Sequence, residues 1–207
     1  MPDEGILLVV SGFSGAGKGT ITKAICSRYD NYALSISATT RKPRVGEVEG
    51  EHYFFRSKEE FEEMIRNDAL IEYACYEGNY YGTPKDYVMK KLSEGCDVIL
   101  EIEVQGAQKV HEKFPDTPMV FVTAPTAEIL AGRLRGRGTE NEEQIRGRLR
   151  RATEEAEFMG DYDYILINDT VDETVESLHD IFRVEHMKVK RNSRFMDEMK
   201  RGLGHLS

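Results

Sequence analysis

Short apolar runs recur along the chain and alternate with segments of helical spacing. The run at residues 6–10 is apolar at every position, which indicates a strand covered on both faces in the centre of a parallel sheet. Further runs predict strands at 98–102, 119–122 and 164–167, and the segments around them predict helices at about 20–29, 85–94, 140–158 and 171–183. This alternation predicts an α/β fold whose parallel sheet is flanked by helices.

Two segments break the alternation. Residues 35–83 combine turn signals and aromatic pairs with an amphipathic helix at about 57–67, and we predict an inserted lobe. Residues 126–158 are charged and helical and form a second candidate insertion. The core would then comprise 5–34, 84–125 and 159–185. The polar tail, 186–207, is expected outside the core as a frayed helix or a packing contact.

Composition excludes several classes of function. The 207 residues carry a formal net charge of −9, a poor match to sequence-independent nucleic-acid binding. Three separated cysteines, Cys26, Cys75 and Cys96, suggest free thiols rather than a disulfide framework or a metal site. The first residues lack the pattern of a signal peptide, and no apolar run approaches the roughly 20 residues of a membrane span. We therefore expect a cytoplasmic protein without a membrane partner.

A glycine-rich segment between the first predicted strand and helix carries the clearest motif. It matches the phosphate-binding P-loop, in which backbone N–H groups and a lysine surround the phosphates of a nucleoside triphosphate. Gly19 stands where the pattern has Ser or Thr, so the direct magnesium ligands stay open; a glycine-rich turn without a ligand is the alternative. The predicted ATP-binding residues here are Gly12, Phe13, Ser14, Gly15, Ala16, Gly17, Lys18, Gly19 and Thr20.

The inserted lobe contains a second candidate anion site. Arg41 and Arg44 lie three residues apart before a Val-Gly turn, and two guanidinium groups on a short segment suit one phosphate. Tyr53 and Tyr81 can add hydroxyl donors. The alternative is a solvated basic turn.

These features make the chain resemble the guanylate kinase family over about residues 5–183. The resemblance rests on the P-loop, on residues 37–53 and on several later motifs that occur in the family's order. The later motifs are Leu70-Ile71-Glu72, 78–84 (GNYYGTP), 101–106 (EIEVQG), Arg133-Leu134 and 136–139 (GRGT).

The resemblance implies a GMP site in the lobe. Its phosphate would be held by Arg41, Arg44, Tyr53 and Tyr81, and its guanine would be read by Ser37, Glu72, Thr83 and Glu103. Chemistry supports this assignment, because a carboxylate accepts from guanine N1 and N2, and hydroxyls can donate to O6. Family members often have Asp where Glu103 stands, which leaves the contact geometry of this longer side chain open.

The resemblance also implies a P-loop kinase fold with a mobile lid at 126–158. The expected reaction moves the γ-phosphate of ATP to GMP, and to dGMP, giving ADP and GDP in purine nucleotide metabolism and GMP recycling. Asn168 would lie near the adenine of ATP, and Glu101 would orient a Mg²⁺ cofactor through water. The implied catalytic residues are Lys18, Arg44, Arg133, Arg137 and Arg148.

Two other functions remain open from the sequence. One is a related module that binds peptides without chemistry; Lys18, Arg133 and Arg137 argue against it, because such modules typically lose these residues. The other is a kinase of the same fold with a different phosphorylated acceptor, against which Ser37, Glu72 and Thr83 favour guanine. The remaining lid arginines, 135, 146, 150 and 151, are expected on a solvated helix face. The sequence does not give the oligomeric state.

Overall fold

The computed structural model describes residues 4–76, 78–136 and 142–206. The strands are β1 (Leu7–Gly12), β2 (Tyr32–Leu34), β3 (Ala38–Thr39), β4 (Phe54–Phe55), β5 (Leu70–Tyr76), β6 (Asn79–Pro84), β7 (Asp97–Glu101), β8 (Met119–Thr123) and β9 (Tyr164–Ile167). The helices are α1 (Lys18–Arg28), α2 (Lys58–Arg66), α3 (Lys85–Ser93), α4 (Val104–Lys113), α5 (Ala127–Gly136), α6 (Glu142–Ala156), α7 (Val171–His186) and α8 (Ser193–Leu206).

The main sheet has the strand order β2-β7-β1-β8-β9, and every pair in it is parallel. β1 is the central strand, with Val9 paired to Leu100 of β7 and to Met119 of β8. This confirms the predicted α/β class and the position of the first strand. Because parallel strands all end at one edge, the segments after β1, β7 and β9 meet there and build the candidate site.

Helices cover both faces of the main sheet. On one face, Ile21 and Ile25 of α1 and Leu178 and Phe182 of α7 join the larger hydrophobic core. On the other face, α3 and α4 pack Val88, Ala107 and Val110 into a second core. Burial of apolar surface at about 25 cal/mol per Å² is the main force that holds these layers together.

A second, four-stranded sheet lies within the predicted lobe, in the order β4-β3-β6-β5. β6 is antiparallel to both β3 and β5. α2 begins with a capping box, in which the Ser57 side chain accepts from the Glu60 N–H and the Glu60 carboxylate accepts from the Ser57 N–H. The fully buried Phe61 of α2 stacks on Tyr80 of β6 and anchors the helix to the sheet.

The structure adds elements that the hydrophobic pattern did not predict. β2 is a three-residue edge strand, too short to give a clear alternation, and α4 follows directly on β7. The predicted lid contains α5 as well as α6. The tail contains α8, a helix in which none of the residues is buried. None of the helices within the described residues is long and apolar enough to cross a membrane.

Candidate functional site

The P-loop leaves the central strand through a backbone that only glycine allows. Gly12, the last residue of β1, has φ 131°, and a Cβ there would lie 2.1 Å from the carbonyl oxygen of Val122. Gly15 and Gly17 also have positive φ, at 86° and 94°. These positions turn the chain sharply from the strand into α1, which begins at Lys18.

Two carbonyl groups at the start of this loop are occupied by the lysine of the loop itself. Lys18 Nζ donates to the carbonyls of Gly12 at 2.6 Å and Phe13 at 3.1 Å. In contrast, no main-chain acceptor among the described residues pairs with the N–H groups of Gly15, Gly17, Lys18 and Gly19. A loop with free N–H groups at a helix N-terminus is an anion-binding site. The structure thus gives the sequence motif the geometry that a polyphosphate requires.

Glu101, at the end of β7, lies against the first turn of α1. Its Oε2 accepts a 2.7 Å hydrogen bond from the buried Thr22, and its Oε1 would be 3.4 Å from a Cβ placed on Gly19. A Cβ at this P-loop position would be in ordinary van der Waals contact with the Glu101 carboxylate, so the carboxylate lies close to the backbone of Gly19. The sequence had not singled out Thr22, because its role depends on a contact across 79 residues.

Three of the predicted guanine-reading residues come from adjacent strands of the lobe. Ala38 of β3 pairs with Gly82 of β6, and Ser37 and Thr83 stand beside this pair, with Ser37 one residue before β3. Thr83 is fully buried, and its Oγ1 donates to Glu72 Oε1 at 2.9 Å across β6 and β5. The strand register therefore places a carboxylate and two hydroxyl residues in one row.

Glu72 is a buried carboxylate, only 9% exposed. Burial raises its pKa, while the hydrogen bond from Thr83 opposes that rise. The other carboxylate oxygen, Oε2, faces α4, where a Cβ on Gly106 would be 3.5 Å away. Glu103, exposed and at the N-terminal end of α4, stands one helical turn before Gly106. A buried carboxylate in this environment is suited to accept hydrogen bonds from a ligand.

The phosphate corner of the lobe brings together Arg41, Tyr53 and Tyr81. The Arg41 guanidinium lies 5.3 Å from the centre of the Tyr53 ring, and the Tyr53 and Tyr81 rings are 6.2 Å apart. Glu47 accepts two hydrogen bonds from Arg41, at 2.7 and 3.0 Å, and a third from the backbone N–H of Arg44. These bonds lower the Glu47 pKa to about 2, Arg41 contributing most, and they raise the pKa of Arg41.

Glu47 is a residue that the sequence analysis did not assign. Its place directly after the Val45-Gly46 turn was visible, but its pairing with Arg41 depends on the folded loop. The Arg44 residue is exposed, so its side chain is open to solvent beside the same turn. The carboxylate orients one predicted phosphate ligand and fixes the backbone of the other.

The lid contacts the P-loop through α6. Arg148 donates to Ser14 Oγ at 2.6 Å, which brings this predicted catalytic arginine to the loop. Arg133, on α5, donates to the Asp169 carbonyl at 3.3 Å, close to Asn168 in the chain. The predicted catalytic Arg137 lies outside the described residues. Arg135 lies 3.5 Å from Glu142, and both side chains are largely exposed, in keeping with the solvated position predicted for Arg135.

Asn168 is the first residue after β9, and its side chain contacts the P-loop. It is 4% exposed, and its side-chain amide donates to the Ala16 carbonyl at 2.7 Å. Of the other predicted loop residues, Phe13 is buried against Phe121 and Thr20 is exposed on the first turn of α1. The predicted ATP contacts are therefore gathered at one edge of the sheet.

Comparisons with known proteins give a consistent result. The family model described as guanylate kinase matches residues 4–185. The chain is 51% identical to the guanylate kinase of Caldanaerobacter subterraneus subsp. tengcongensis, over 91% of this chain and 92% of that protein. It is 52% identical to that of Lactococcus lactis subsp. lactis, over 92% and 93%. The crystal structure of guanylate kinase from Anaplasma phagocytophilum superposes with a TM-score of 0.72 at 31% identity, covering 94% of each chain.

Proposed function

Because the chain belongs to the guanylate kinase family, we propose that it transfers the γ-phosphate of ATP to GMP, and to dGMP, forming ADP and GDP. One observation carries this proposal. An anion-binding loop lies on one part of the molecule, and the row formed by the buried Glu72 carboxylate with Ser37 and Thr83 lies on another. The loop suits a triphosphate and the row suits a guanine. Such an enzyme would serve purine nucleotide metabolism and GMP recycling.

Guanine recognition would depend on Glu72. Its carboxylate accepts from N1–H and the N2 amine, two donors that adenine lacks at the matching positions. Thr83 already donates to Glu72 and so holds that carboxylate in place, whereas the Ser37 hydroxyl can donate to O6. Glu103 would complete the set from α4. AMP offers neither donor, so the desolvated Glu72 carboxylate would keep only its hydrogen bond from Thr83, which is the larger penalty.

The acceptor phosphate would bind at the corner formed by Arg41, Arg44, Tyr53 and Tyr81. Glu47 holds Nη1 and Nη2 of Arg41, so phosphate oxygens would bind the N–H groups of Arg41 that Glu47 leaves open. Arg41 and Glu47 are already paired, so little side-chain freedom is lost when the phosphate binds.

Phosphoryl transfer would need no covalent intermediate on the protein. A GMP phosphate oxygen attacks the γ-phosphorus, and ADP leaves. Lys18, Arg44, Arg133 and Arg148, together with Arg137, would balance the charge that spreads over the migrating group. The contact of Arg148 with Ser14 supports this role, because it brings the lid to the loop that would hold the triphosphate.

A magnesium cofactor is part of the proposal. The described residues contain no cluster of three or more metal-binding side chains. Mg²⁺ keeps several waters and is held largely by nucleotide phosphates, so it needs few side-chain ligands. Glu101 would orient those waters through its Oε1, with Thr22 fixing Oε2. When bound, the ion would add positive charge at the β and γ phosphates.

The other functions considered from the sequence gain no support from the geometry. Lys18 and Arg148 are both at the P-loop, as a kinase needs and a peptide-binding module does not.

The three cysteines, Cys26, Cys75 and Cys96, are free thiols, which suits the proposed cytoplasmic location.

A coupled assay of ADP formation with GMP, dGMP, AMP and UMP tests the proposed function. We expect turnover with GMP and dGMP that exceeds turnover with AMP and UMP by at least about a hundredfold in kcat/KM. A reaction without any acceptor controls for ATP hydrolysis. Equal rates with all four acceptors, or a preference for UMP, would contradict the proposal.

A further inference from the structure

Asn168 is held in a fixed orientation by three hydrogen bonds. Its backbone N–H donates to the Thr123 carbonyl at 2.8 Å. Its side-chain Nδ2 donates to the Ala16 carbonyl at 2.7 Å. Its Oδ1 lies 3.1 Å from Thr174 Oγ1, whose single proton it shares with the Thr170 carbonyl at 2.5 Å. With 4% of the residue exposed and both ends of the amide engaged, little of this side chain is available to a nucleotide base.

The contact with Ala16 determines the direction of a P-loop N–H group. In a trans peptide, the carbonyl of Ala16 and the N–H of Gly17 point in opposite directions. By holding the carbonyl, Asn168 turns the Gly17 N–H to the other side of the peptide plane. That N–H belongs to the set, with Gly15, Lys18 and Gly19, that makes no main-chain hydrogen bond within the described residues.

Gly17 fits this arrangement in two ways. Its φ of 94° favours glycine, and a Cβ at this position would be 2.4 Å from Asn168 Nδ2. The amide therefore packs directly against the backbone that enters α1. Asn168 is therefore in direct contact with the phosphate loop, through its hydrogen bond to Ala16 and its packing against Gly17.

We propose that Asn168 is a positioning residue, which sets the anion-binding geometry of the P-loop through the Ala16–Gly17 peptide and does not read adenine. This inference rests on the proposed function, in which the loop binds the triphosphate of ATP. The Ala16 carbonyl is an acceptor, so Nδ2 rather than Oδ1 must face it. Thr174 supports this orientation, because its hydroxyl, shared with the Thr170 carbonyl, lies next to Oδ1.

Asn168→Leu tests the proposal without adding a charge next to the loop. Dissociation constants would be measured by calorimetry for ATP, ITP and inorganic tripolyphosphate, the last of which has no base. If the residue positions the loop, all three ligands should bind about tenfold more weakly, and by the same factor. If it reads adenine, ATP alone should lose affinity, and that result would overturn the proposal. Unchanged binding of tripolyphosphate would also overturn it.

Thr174→Val gives a second test, which keeps the proposal falsifiable if Asn168→Leu does not fold. It should weaken all three ligands by about two- to fivefold, whereas Thr174→Ser, which retains the hydroxyl, should match the wild type. Unequal losses among the ligands, or no loss, would count against the role of this pair. GMP affinity, expected to be unchanged in each variant, reports whether the rest of the fold is intact.

Failure of the proposed function would look different. If the wild-type protein phosphorylated no GMP, the acceptor assay would contradict the proposed function. The comparison of ATP with tripolyphosphate would still decide the role of Asn168.

Discussion

The two proposed phosphate sites of this molecule are built on different principles. In the P-loop, the binding groups are main-chain N–H groups, and buried contacts such as that of Asn168 with Ala16 fix the backbone that carries them. In the acceptor corner, the binding groups are side chains on an exposed turn, and the partly exposed pair of Arg41 and Glu47 holds them. One site depends on backbone conformation and the other on paired charges.

This difference explains what each site can tolerate. A backbone site needs glycine at specified positions and loses its geometry when a buried support is removed. A side-chain site can lose one hydrogen bond and keep the others, and its charges are screened by solvent. Perturbations of the donor loop should therefore have larger effects than perturbations of the exposed acceptor turn.

Lys18→Ala should have the largest effect. It removes the one lysine of the loop, which now donates to the Gly12 and Phe13 carbonyls and would contact the β and γ phosphates. Loss of such a contact in a dry site costs about 3–4 kcal/mol, or about 10²–10³ in kcat. Steady-state kinetics, with Lys23→Ala on the exposed side of α1 as the control, measures this. Near-normal turnover with Lys18→Ala would contradict the proposed mechanism.

Glu72→Gln should come next. The substitution keeps the shape but replaces one acceptor by a donor that faces the guanine donors. We expect a loss of about 1.5–3 kcal/mol for GMP, roughly ten- to a hundredfold in kcat/KM, and a much smaller loss for AMP. The measurement is the ratio of kcat/KM for GMP to that for AMP.

The exposed Glu63→Gln of α2, in the same lobe, controls for the loss of one negative charge. If Glu72→Gln lowered kcat/KM equally for GMP and AMP, Glu72 would support the lobe rather than read the base. The guanine assignment would then rest on Ser37, Thr83 and Glu103.

Thr22→Val should have a smaller effect. Valine preserves the shape of this buried side chain but removes the 2.7 Å hydrogen bond to Glu101. Loss of one such bond is worth about 1 kcal/mol, so kcat should fall about fivefold and half-saturation should require more Mg²⁺. Thermal unfolding would report any damage to packing, and Thr22→Ser should behave like the wild type. A Mg²⁺ dependence identical to wild type in Thr22→Val would refute the orienting role.

The smallest effect should come from pH acting on the acceptor turn. The Glu47 pKa is lowered to about 2, chiefly by hydrogen bonds from Arg41, while an unperturbed Glu titrates near 4.3. Its contribution to folding stability is therefore complete above about pH 4.3 and is lost as the pH falls toward 2. Glu47→Gln should be less stable than wild type at pH 6, and the difference should shrink at pH 3.

Urea denaturation at these two pH values measures this difference, with Glu51→Gln in the same loop as a control for charge. A stability difference that grew on acidification would contradict the assigned ion pair.

The sequence predicted features that depend on short segments. The central strand, the glycine-rich loop and the α/β class follow from local patterns, and the structure has all three. Contacts between distant residues were not visible, such as Thr22 with Glu101 or Asn168 with Ala16, since the hydrogen bonds join residues 79 and 152 positions apart. The pairing of Glu47 with Arg41 is local in sequence, but it depends on how the turn folds.

The guanine row illustrates the same limit. Ser37, Glu72 and Thr83 were singled out by resemblance, but their alignment depends on the register of three strands, with an irregularity between Leu70 and Tyr73 in β5. A one-residue shift in that register would reverse the side-chain directions. Such a register cannot be derived from composition or periodicity of a single strand.

The central claim is that donor and acceptor recognition are separate, and calorimetry on two variants tests it most directly. Dissociation constants for ATP and for GMP would be measured with wild type, Lys18→Ala and Glu72→Gln. We predict that Lys18→Ala raises the dissociation constant of ATP about tenfold or more and leaves that of GMP within about twofold of wild type. Glu72→Gln should do the reverse. If each variant weakened both ligands to the same extent, the two sites would not be separate and the account would be wrong.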